Sequence, residues 1–191
     1  MEGSVFRDFP LDKWQWHPSP IPGQIVYVTT ESADGLLDLA PKSWVSMAAF
    51  CGPIIGFGCS DKHQTYANVQ STARFTLNFP TFAQASLASE IAAATRSNRL
   101  KISGLGSAPS THGGVPHLEK VPAFMECTLL ETVRFEGGEV FLFGRIDRLA
   151  VKADIAEQEP NEAYAMLAPA FFLEPGMIGG LTPHSAAAPS P

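Results

Sequence analysis

The residues of this chain with the clearest chemical potential form a short polar loop, Ser60-Asp61-Lys62-His63-Gln64-Thr65. The loop follows a strand-like run and leads into a predicted helix of one or two turns. It brings hydroxyls and cations to a helix start, where unpaired amides and the positive end of the helix dipole favour an anion. We therefore predict half of a site for a phosphate-bearing ligand, while Lys62 and His63 would also suit an ordinary solvated loop.

Composition and charge argue against several other classes of function. The 191 residues are 45% hydrophobic, which is enough for one domain with a real core. The formal net charge is −6, so a general nucleic-acid surface, which needs clustered Lys and Arg, is not expected. The N-terminus lacks the apolar run of a secretory signal, and no window approaches the ~18 apolar residues of a membrane span. The sequence predicts a cytoplasmic protein with neither nucleic-acid nor membrane partners.

The cysteines and histidines do not indicate a metal centre or a disulfide. Cys51, Cys59 and Cys127 lie in apolar, strand-like surroundings without a C-x-x-C pair, so buried free thiols are expected. The histidines outside the polar loop show no metal-ligand spacing, and no metal site is predicted. Ser43 lacks the G-x-S-x-G setting of a hydrolase nucleophile, and Gly113-Gly114 lacks the lysine and helix of a phosphate-binding P-loop.

A mostly β framework must position the polar loop. Residues 24–30 and 36–40 predict a hairpin around the turn pair Asp34-Gly35. Ser86 is expected to cap the best helix, and Asn161 a second, shorter one. The other predicted elements are strands 44–50, 54–59 and 74–79, a long hairpin of strands 124–135 and 140–151, a Gly- and Ser-rich loop over 105–116, and helices 84–96 and 161–167. These elements suggest a closed antiparallel barrel, although periodicity alone does not distinguish a barrel from a sandwich.

The chain divides into three predicted parts. Residues 1–24 form an arm rich in aromatics and prolines, residues 25–182 the barrel domain, and residues 183–191 a disordered Ala, Pro and Ser tail. The aromatic residues of the arm could pack on the core, on a partner subunit or on a ligand, with packing favoured. They are Phe6, Phe9, Trp14 and Trp16.

Over residues 20–182 the chain resembles the flavin reductase-like family, whose members fold as an FMN-binding split β-barrel. Each matching motif is weak alone, and their order and spacing together carry the resemblance. The motifs are Lys42-Ser43-Trp44-Val45, Gly52-Pro53, the loop from Lys62 to Thr65, Phe75-Thr76-Leu77-Asn78, Arg99 five positions before Gly104-Leu105, Glu126-Cys127, and the segment 169–181 that ends in a glycine pair.

The resemblance implies a set of FMN-binding residues. Ser43, Trp44 and Val45 would line the flavin ring and the ribityl chain, and Arg99 would be a second cation near the phosphate. The phosphate itself would be held by Ser60, Lys62, His63 and Thr65, which agrees with the physical interpretation of the loop. Asp38 and Asn78 complete the predicted cofactor-binding set, and no catalytic residue is assigned. Trp44 as a core residue, and Arg99 as a cation that only complements a helix C-terminus, are the alternatives.

Three departures from the family pattern bear on function. Many members have Asn where this chain has Asp38, and an ionised carboxylate accepts hydrogen bonds without donating any. Some members place a histidine in the last hairpin, where this chain has Glu139-Val140-Phe141. The usual double proline is replaced by Gly52-Pro53. The first two departures concern the orientation of the ring and the handling of nicotinamide.

The resemblance implies an FMN-dependent oxidoreductase that takes electrons from NADH or NADPH and passes them to oxygen, free flavin or a partner monooxygenase. The chemistry would belong to the cofactor, so the protein need not supply an acid or a nucleophile. An FMN-binding electron carrier or sensor without nicotinamide turnover, and a non-flavin interaction protein on the same barrel, are the alternatives. Members of the family usually form homodimers with the site between subunits, and a homodimer is expected here.

Overall fold

A computed structural model describes residues 6, 8–11, 18–173 and 176–183. Trp14 and Trp16 of the arm, and residues 184–191 of the tail, lie outside the described residues. Ten strands form within the described part of the chain, in two antiparallel sheets. They are β1 (Gly23–Gln24), β2 (Val26–Glu31), β3 (Leu37–Lys42), β4 (Val45–Met47), β5 (Ile54–Ser60), β6 (Arg74–Phe79), β7 (Ala123–Arg134), β8 (Glu139–Val151), β9 (Ala170–Leu173) and β10 (Met177–Gly180).

The larger sheet has seven strands in the order β3-β2-β6-β7-β8-β5-β4. Its two edge strands, β3 and β4, are consecutive in the chain and are separated only by Ser43 and Trp44. Since two residues can span little more than ~10 Å, the sheet must curl until its edges meet. The prediction of an antiparallel β-barrel is confirmed, and we call the junction of the two edges, Lys42 to Val45, the seam. The smaller sheet, in the order β1-β9-β10, packs outside the barrel.

The core lies on both faces of β2, because its alternate residues enter different apolar clusters. Val26 and Val28 join Phe57, Phe75 and other side chains inside the barrel. Tyr27 faces outward and, with Ile25 just before the strand, packs with Leu39, Ile91 and Ala170 beneath the helices and the smaller sheet. Burial on both faces explains why this strand reads as a nearly continuous β-branched run in the sequence.

Most predicted strands are confirmed. The early hairpin pairs β2 with β3, and the long hairpin pairs β7 with β8 through a 3-10 turn at Glu136–Gly138. The predicted strand over 44–50 is shorter, since regular pairing covers only β4 before the turn at Gly52 and Pro53. Cys59 and Cys127 are buried free thiols, as expected, whereas the expectation for Cys51 was wrong because that residue is exposed on this turn.

The helices differ more from their predicted bounds than the strands do. The described helices are α1 (Gln64–Thr72), α2 (Phe82–Ala85), α3 (Ala88–Ala93), α4 (Arg96–Ser103), α5 (Ala153–Ala156) and α6 (Pro160–Leu167). The helix predicted over 84–96 was wrong, because a capping box of Thr81 and Gln84 starts α2 earlier. The carbonyl of Gln84 then accepts a hydrogen bond from the Tyr27 hydroxyl at 2.8 Å. Ser86 follows α2 at its C-terminal end, so the prediction that it caps a helix N-terminus was also wrong.

The cap predicted for the short C-terminal helix was displaced by two residues. Asn161 was expected to cap it, but Glu159 occupies the N-cap position and Pro160 is the first helical residue. Proline suits this position because its missing N–H would have no acceptor within the helix. In the described part of the chain, no helix is both long enough and apolar enough to cross a membrane.

Candidate functional site

Two adjoining cavities lie at the seam of the barrel. The smaller cavity, about 320 Å³, is lined by Ala40, Pro41, Lys42, Lys62, His63, Gln64, Thr65, Ala92 and Arg99. The larger cavity, about 850 Å³, is lined by Leu11, Pro41, Lys42, Ser43, Trp44, Gly58, Cys59, Ser60, His63, Phe135, Glu139, Val140 and Phe141. Pro41, Lys42 and His63 border both, so the two cavities adjoin at these three residues.

The smaller cavity has the character of an anion site. Three cationic side chains reach it from different elements: Lys42 at the end of β3, Lys62 in the polar loop and Arg99 on α4. The N-terminus of α1 opens onto the same space through Gln64 and Thr65, whose amides have no acceptor within the helix. No acidic residue lies in the first turn of α1 to offset its dipole. This donor set matches a phosphate monoester, which needs several hydrogen bonds and positive neighbours.

Lys42 and His63 contact each other at the boundary of the two cavities. The Nζ atom of Lys42 lies 3.1 Å from Nδ1 of His63, so the ammonium donates and the neutral imidazole accepts. Partial burial, together with the positive charges of Lys42 and Arg99, lowers the pKa of His63. The remaining ring nitrogen, Nε2, then carries the proton and can donate to a ligand. The neighbouring Cys59 thiol lies 3.7 Å from the same Nδ1, and burial raises its pKa.

We expect His63 to make the free protein less stable on acidification. Its folded-state pKa lies below the usual 6.5, so the unfolded chain takes up the proton first as the pH falls through that value. The free energy of unfolding should therefore be highest above about pH 6.5 and decrease below it. His117, whose pKa is also lowered by burial, contributes in the same direction.

Denaturant unfolding between about pH 7.5 and pH 5.5 measures this dependence. The His63→Gln variant should lose part of the stability change seen in the wild type, and His112→Gln, an exposed loop variant, should retain it. An unchanged pH profile in His63→Gln would contradict the assignment.

The larger cavity offers a flat apolar wall. Gly58 of β5 has no side chain on the outer face of the barrel, and the Trp44 ring lies against that gap. A Cβ atom at position 58 would come within 3.0 Å of the indole. Phe141 and Phe135 extend the wall on the side of the β7–β8 hairpin. A planar aromatic ligand can stack against such a surface, with the backbone of the seam available for polar contacts.

The structure brings most of the sequence-predicted site residues together. Ser43, Trp44 and Ser60 line the larger cavity, Lys62, Thr65 and Arg99 line the smaller one, and His63 borders both. Val45 does not line either cavity, because its side chain packs against the apolar cluster inside the barrel.

Asp38 and Asn78 also lie away from the lining. Asp38 is completely buried and forms an ion pair with Arg99, Nη1 to Oδ1, at 3.1 Å. Asn78 is buried between strands and loop, where its side-chain amide donates to the Tyr27 carbonyl at 2.9 Å and accepts from the Leu118 amide at 2.7 Å. Its hydrogen bonds fix the barrel wall to the loop that follows α4.

Several residues of the site were not predicted. Lys42 is the most important of these, since it borders both cavities and contacts His63. Its place beside Ser43 and Trp44 in the seam motif was the available signal. Gly58 and Glu139 gave weaker signals, because their contribution depends on the pairing of β5 with β8 across residues distant in sequence.

The chain is similar to known proteins both in sequence and in fold. The family model described as "Flavin reductase like domain" matches residues 19–168. Among solved structures, nitrilotriacetate monooxygenase component B from Bacillus cereus superposes with a TM-score of 0.83 at 19% identity, covering 97% of this chain and 100% of that one. Flavoredoxin from Methanosarcina acetivorans superposes with a TM-score of 0.80 at 15% identity, covering 97% of this chain and 96% of that one. An FMN-binding protein from Thermus thermophilus superposes with a TM-score of 0.74 at 19% identity, covering 97% of this chain and 99% of that one.

The curled seven-stranded sheet and these superpositions define the class: the chain is a split β-barrel protein. At such low sequence identities the superpositions establish the fold alone. The family match covers most of the chain, so the protein belongs to the flavin reductase-like family.

Proposed function

We propose that the protein is a cytoplasmic FMN-dependent oxidoreductase that takes electrons from NADH or NADPH. The observation that carries this proposal is that a cationic cavity adjoins a larger, aromatic-walled cavity at the barrel seam. Their chemistry matches the two ends of FMN, a phosphate monoester and a planar ring, and their volumes fall in the range of ligand sites. The family membership supports the same ligand.

The residues have distinct tasks in this proposal. Lys42, Lys62, Arg99 and the first amides of α1 would bind the phosphate, and His63 would donate to it through Nε2. Trp44 would orient the isoalloxazine ring on the seam. When bound, FMN supplies the redox chemistry by accepting a hydride from the nicotinamide and releasing electrons to oxygen, free flavin or a partner monooxygenase. The protein would hold the ring and exclude solvent from one of its faces.

A second subunit would complete the site. Beside the larger cavity lies an apolar groove of about 440 Å³, lined by Ser46, Met47, Ala48, Val133, Phe135, Phe141 and Phe143. Phe135 and Phe141 belong to both, so a partner seated on the groove would also cover the ring. We propose a homodimer formed through this face. Sedimentation showing only the 20.5 kDa monomer at micromolar concentration would contradict it.

A carrier without nicotinamide turnover is the second candidate, and Glu139 favours it. This carboxylate lines the larger cavity, where it would repel the diphosphate of an approaching dinucleotide. The carrier would hold FMN and exchange electrons with a protein partner or a small acceptor.

Two steps of one experiment test the proposal and separate the candidates. Purified protein is mixed with FMN and desalted, and the visible absorption spectrum is recorded before and after NADH or NADPH is added. Retained flavin bands with rapid bleaching by the nicotinamide would support the oxidoreductase. Retained bands that bleach no faster than free FMN would support the carrier, and a blank spectrum combined with no measurable flavin binding in solution would contradict both.

A further inference from the structure

Asp38 is a buried carboxylate with an incomplete set of partners. Its side chain is fully inaccessible to solvent, and Oδ1 accepts from Nη1 of Arg99 at 3.1 Å. Oδ2 is also buried, and within the described part of the chain no donor hydrogen-bonds to it. A buried carboxylate usually has several donors. Arg99 is therefore the only hydrogen-bond donor that the described residues supply to this carboxylate.

Arg99 has anchors other than Asp38. Its Nε donates to the Ala94 carbonyl at 3.1 Å, and its Nη1 lies 3.4 Å from the Leu39 carbonyl. These bonds tie the guanidinium to the end of α3 and to β3, on the wall of the smaller cavity. Arg99 should therefore keep its place when the charge of Asp38 is removed, particularly if an oxygen acceptor remains at position 38.

We propose that Asp38 lowers the affinity of the smaller cavity for a phosphate monoester and so makes the flavin an exchangeable ligand. The inference rests on the proposed function, in which this cavity holds the phosphate of FMN. The carboxylate stands behind Arg99 and offsets one of the three cationic side chains that line the cavity. Its charge acts on the phosphate through space, because Asp38 itself does not line the cavity. Asp38 is thus a specificity-determining residue that tunes how tightly the phosphate end is held.

The competing account is that Asp38 contacts the ring or only stabilises the fold. Riboflavin distinguishes the two accounts, because it has the ring and the ribityl chain of FMN but no phosphate. A residue that acts on the ring changes the affinities for FMN and riboflavin by the same factor. A residue that acts through the charge of the phosphate cavity changes the affinity for FMN alone.

The experiment measures dissociation constants of FMN and riboflavin for the wild type and the Asp38→Asn variant at low ionic strength, from the quenching of flavin fluorescence. Asn keeps an oxygen for Arg99 Nη1 and removes the charge. Asp38→Ser, which also removes the charge and keeps an oxygen, serves if Asp38→Asn does not fold. Glu126→Gln is the matched control, because Glu126 is a buried carboxylate paired with Arg148 at the same 3.1 Å and lines neither cavity.

We expect Asp38→Asn to lower the dissociation constant of FMN about tenfold and to slow the release of FMN. The dissociation constant of riboflavin should change less than about twofold. This increase in the affinity for FMN should be smaller at high salt. Glu126→Gln should leave the ratio of the two constants unchanged. Equal shifts for FMN and riboflavin, or an unchanged or weakened affinity for FMN alone, would overturn the inference.

If the proposed function is wrong, the wild type should bind neither FMN nor riboflavin, a result distinct from those above. Inorganic phosphate then becomes the probe, and protection against thermal unfolding is compared between the wild type and the folded variant. Greater protection of the variant would uphold the effect of Asp38 on the cavity, and equal or lesser protection would overturn it.

Discussion

A double variant, Lys42→Met with Lys62→Met, removes both lysines of the smaller cavity and should weaken FMN binding about a hundredfold. Each ammonium is expected to make a charge-assisted hydrogen bond worth about 1.5 kcal/mol or more, and 1.4 kcal/mol corresponds to a factor of ten. Methionine keeps the length and the apolar stem of each side chain, so the loss should come from charge. Riboflavin binding should change little, because riboflavin carries no phosphate.

The measurement is a pair of titrations, FMN and riboflavin, with the double variant and with a matched control. Lys101→Met is a suitable control, since Lys101 is exposed on α4 and lines neither cavity. A double variant that binds FMN as tightly as the wild type does would show that the phosphate lies elsewhere. An equal loss for both flavins would instead place the lysines near the ring.

The second large effect is expected from Gly23→Ala, which should destabilise the fold and disturb the seam together. A Cβ atom at position 23 would stand 2.0 Å from the backbone carbonyl oxygen of Ser43 and 3.0 Å from its carbonyl carbon. Backbone atoms cannot move aside as the end of a side chain can, so β1 or the seam must shift. Overpacking of this kind costs about 3 kcal/mol of unfolding free energy. Because Ser43 lines the larger cavity, flavin affinity should also fall.

Gly180→Ala provides the comparison for this variant. The added Cβ would meet only the Phe82 ring at 3.6 Å, an ordinary contact distance. Its free energy of unfolding should stay within about 0.5 kcal/mol of the wild-type value. Chemical denaturation of the two variants measures the difference, and a Gly23→Ala variant as stable as Gly180→Ala would contradict the predicted close approach of β1 and the seam.

Much of the barrel could be predicted from sequence because its strands carry local signals. The strand from Arg74 to Phe79 alternates polar and apolar residues and stops at Pro80, and the structure confirms both limits. The long hairpin was equally clear from two extended runs around Gly137 and Gly138. Such signals depend only on neighbouring residues, which is why they survive without knowledge of the tertiary fold.

The helices illustrate what local reasoning misses. An alanine-rich run over 84–96 favours one continuous helix by propensity. The Tyr27 hydroxyl, 57 residues earlier in the chain, takes the Gln84 carbonyl as its acceptor, and the run divides among α2, α3 and the start of α4. Propensity is worth only tenths of a kcal/mol per residue, so tertiary contacts of this kind override it.

The site was predictable where its residues are close in sequence. The polar loop from Ser60 to Thr65 is one contiguous segment, and most of its side chains line the cavities. Lys42 and Glu139 approach His63 only because β3, β5 and β8 are brought together by the barrel. Asp38 and Asn78 were assigned through the family resemblance, which transfers a position without its surroundings. Their burial away from the cavity lining is a property of this chain's packing.

The central claim, that the cavity at the start of α1 is the phosphate site of a flavin, is tested most directly by a crystal structure of the protein with FMN. We expect the phosphorus atom within about 5 Å of the side-chain nitrogens of Lys42 and Arg99, with phosphate oxygens hydrogen-bonded to the first amides of α1. The ring should lie against Trp44. A phosphate bound away from this cavity, or a flavin seated only in the apolar groove beyond Phe141, would contradict the account.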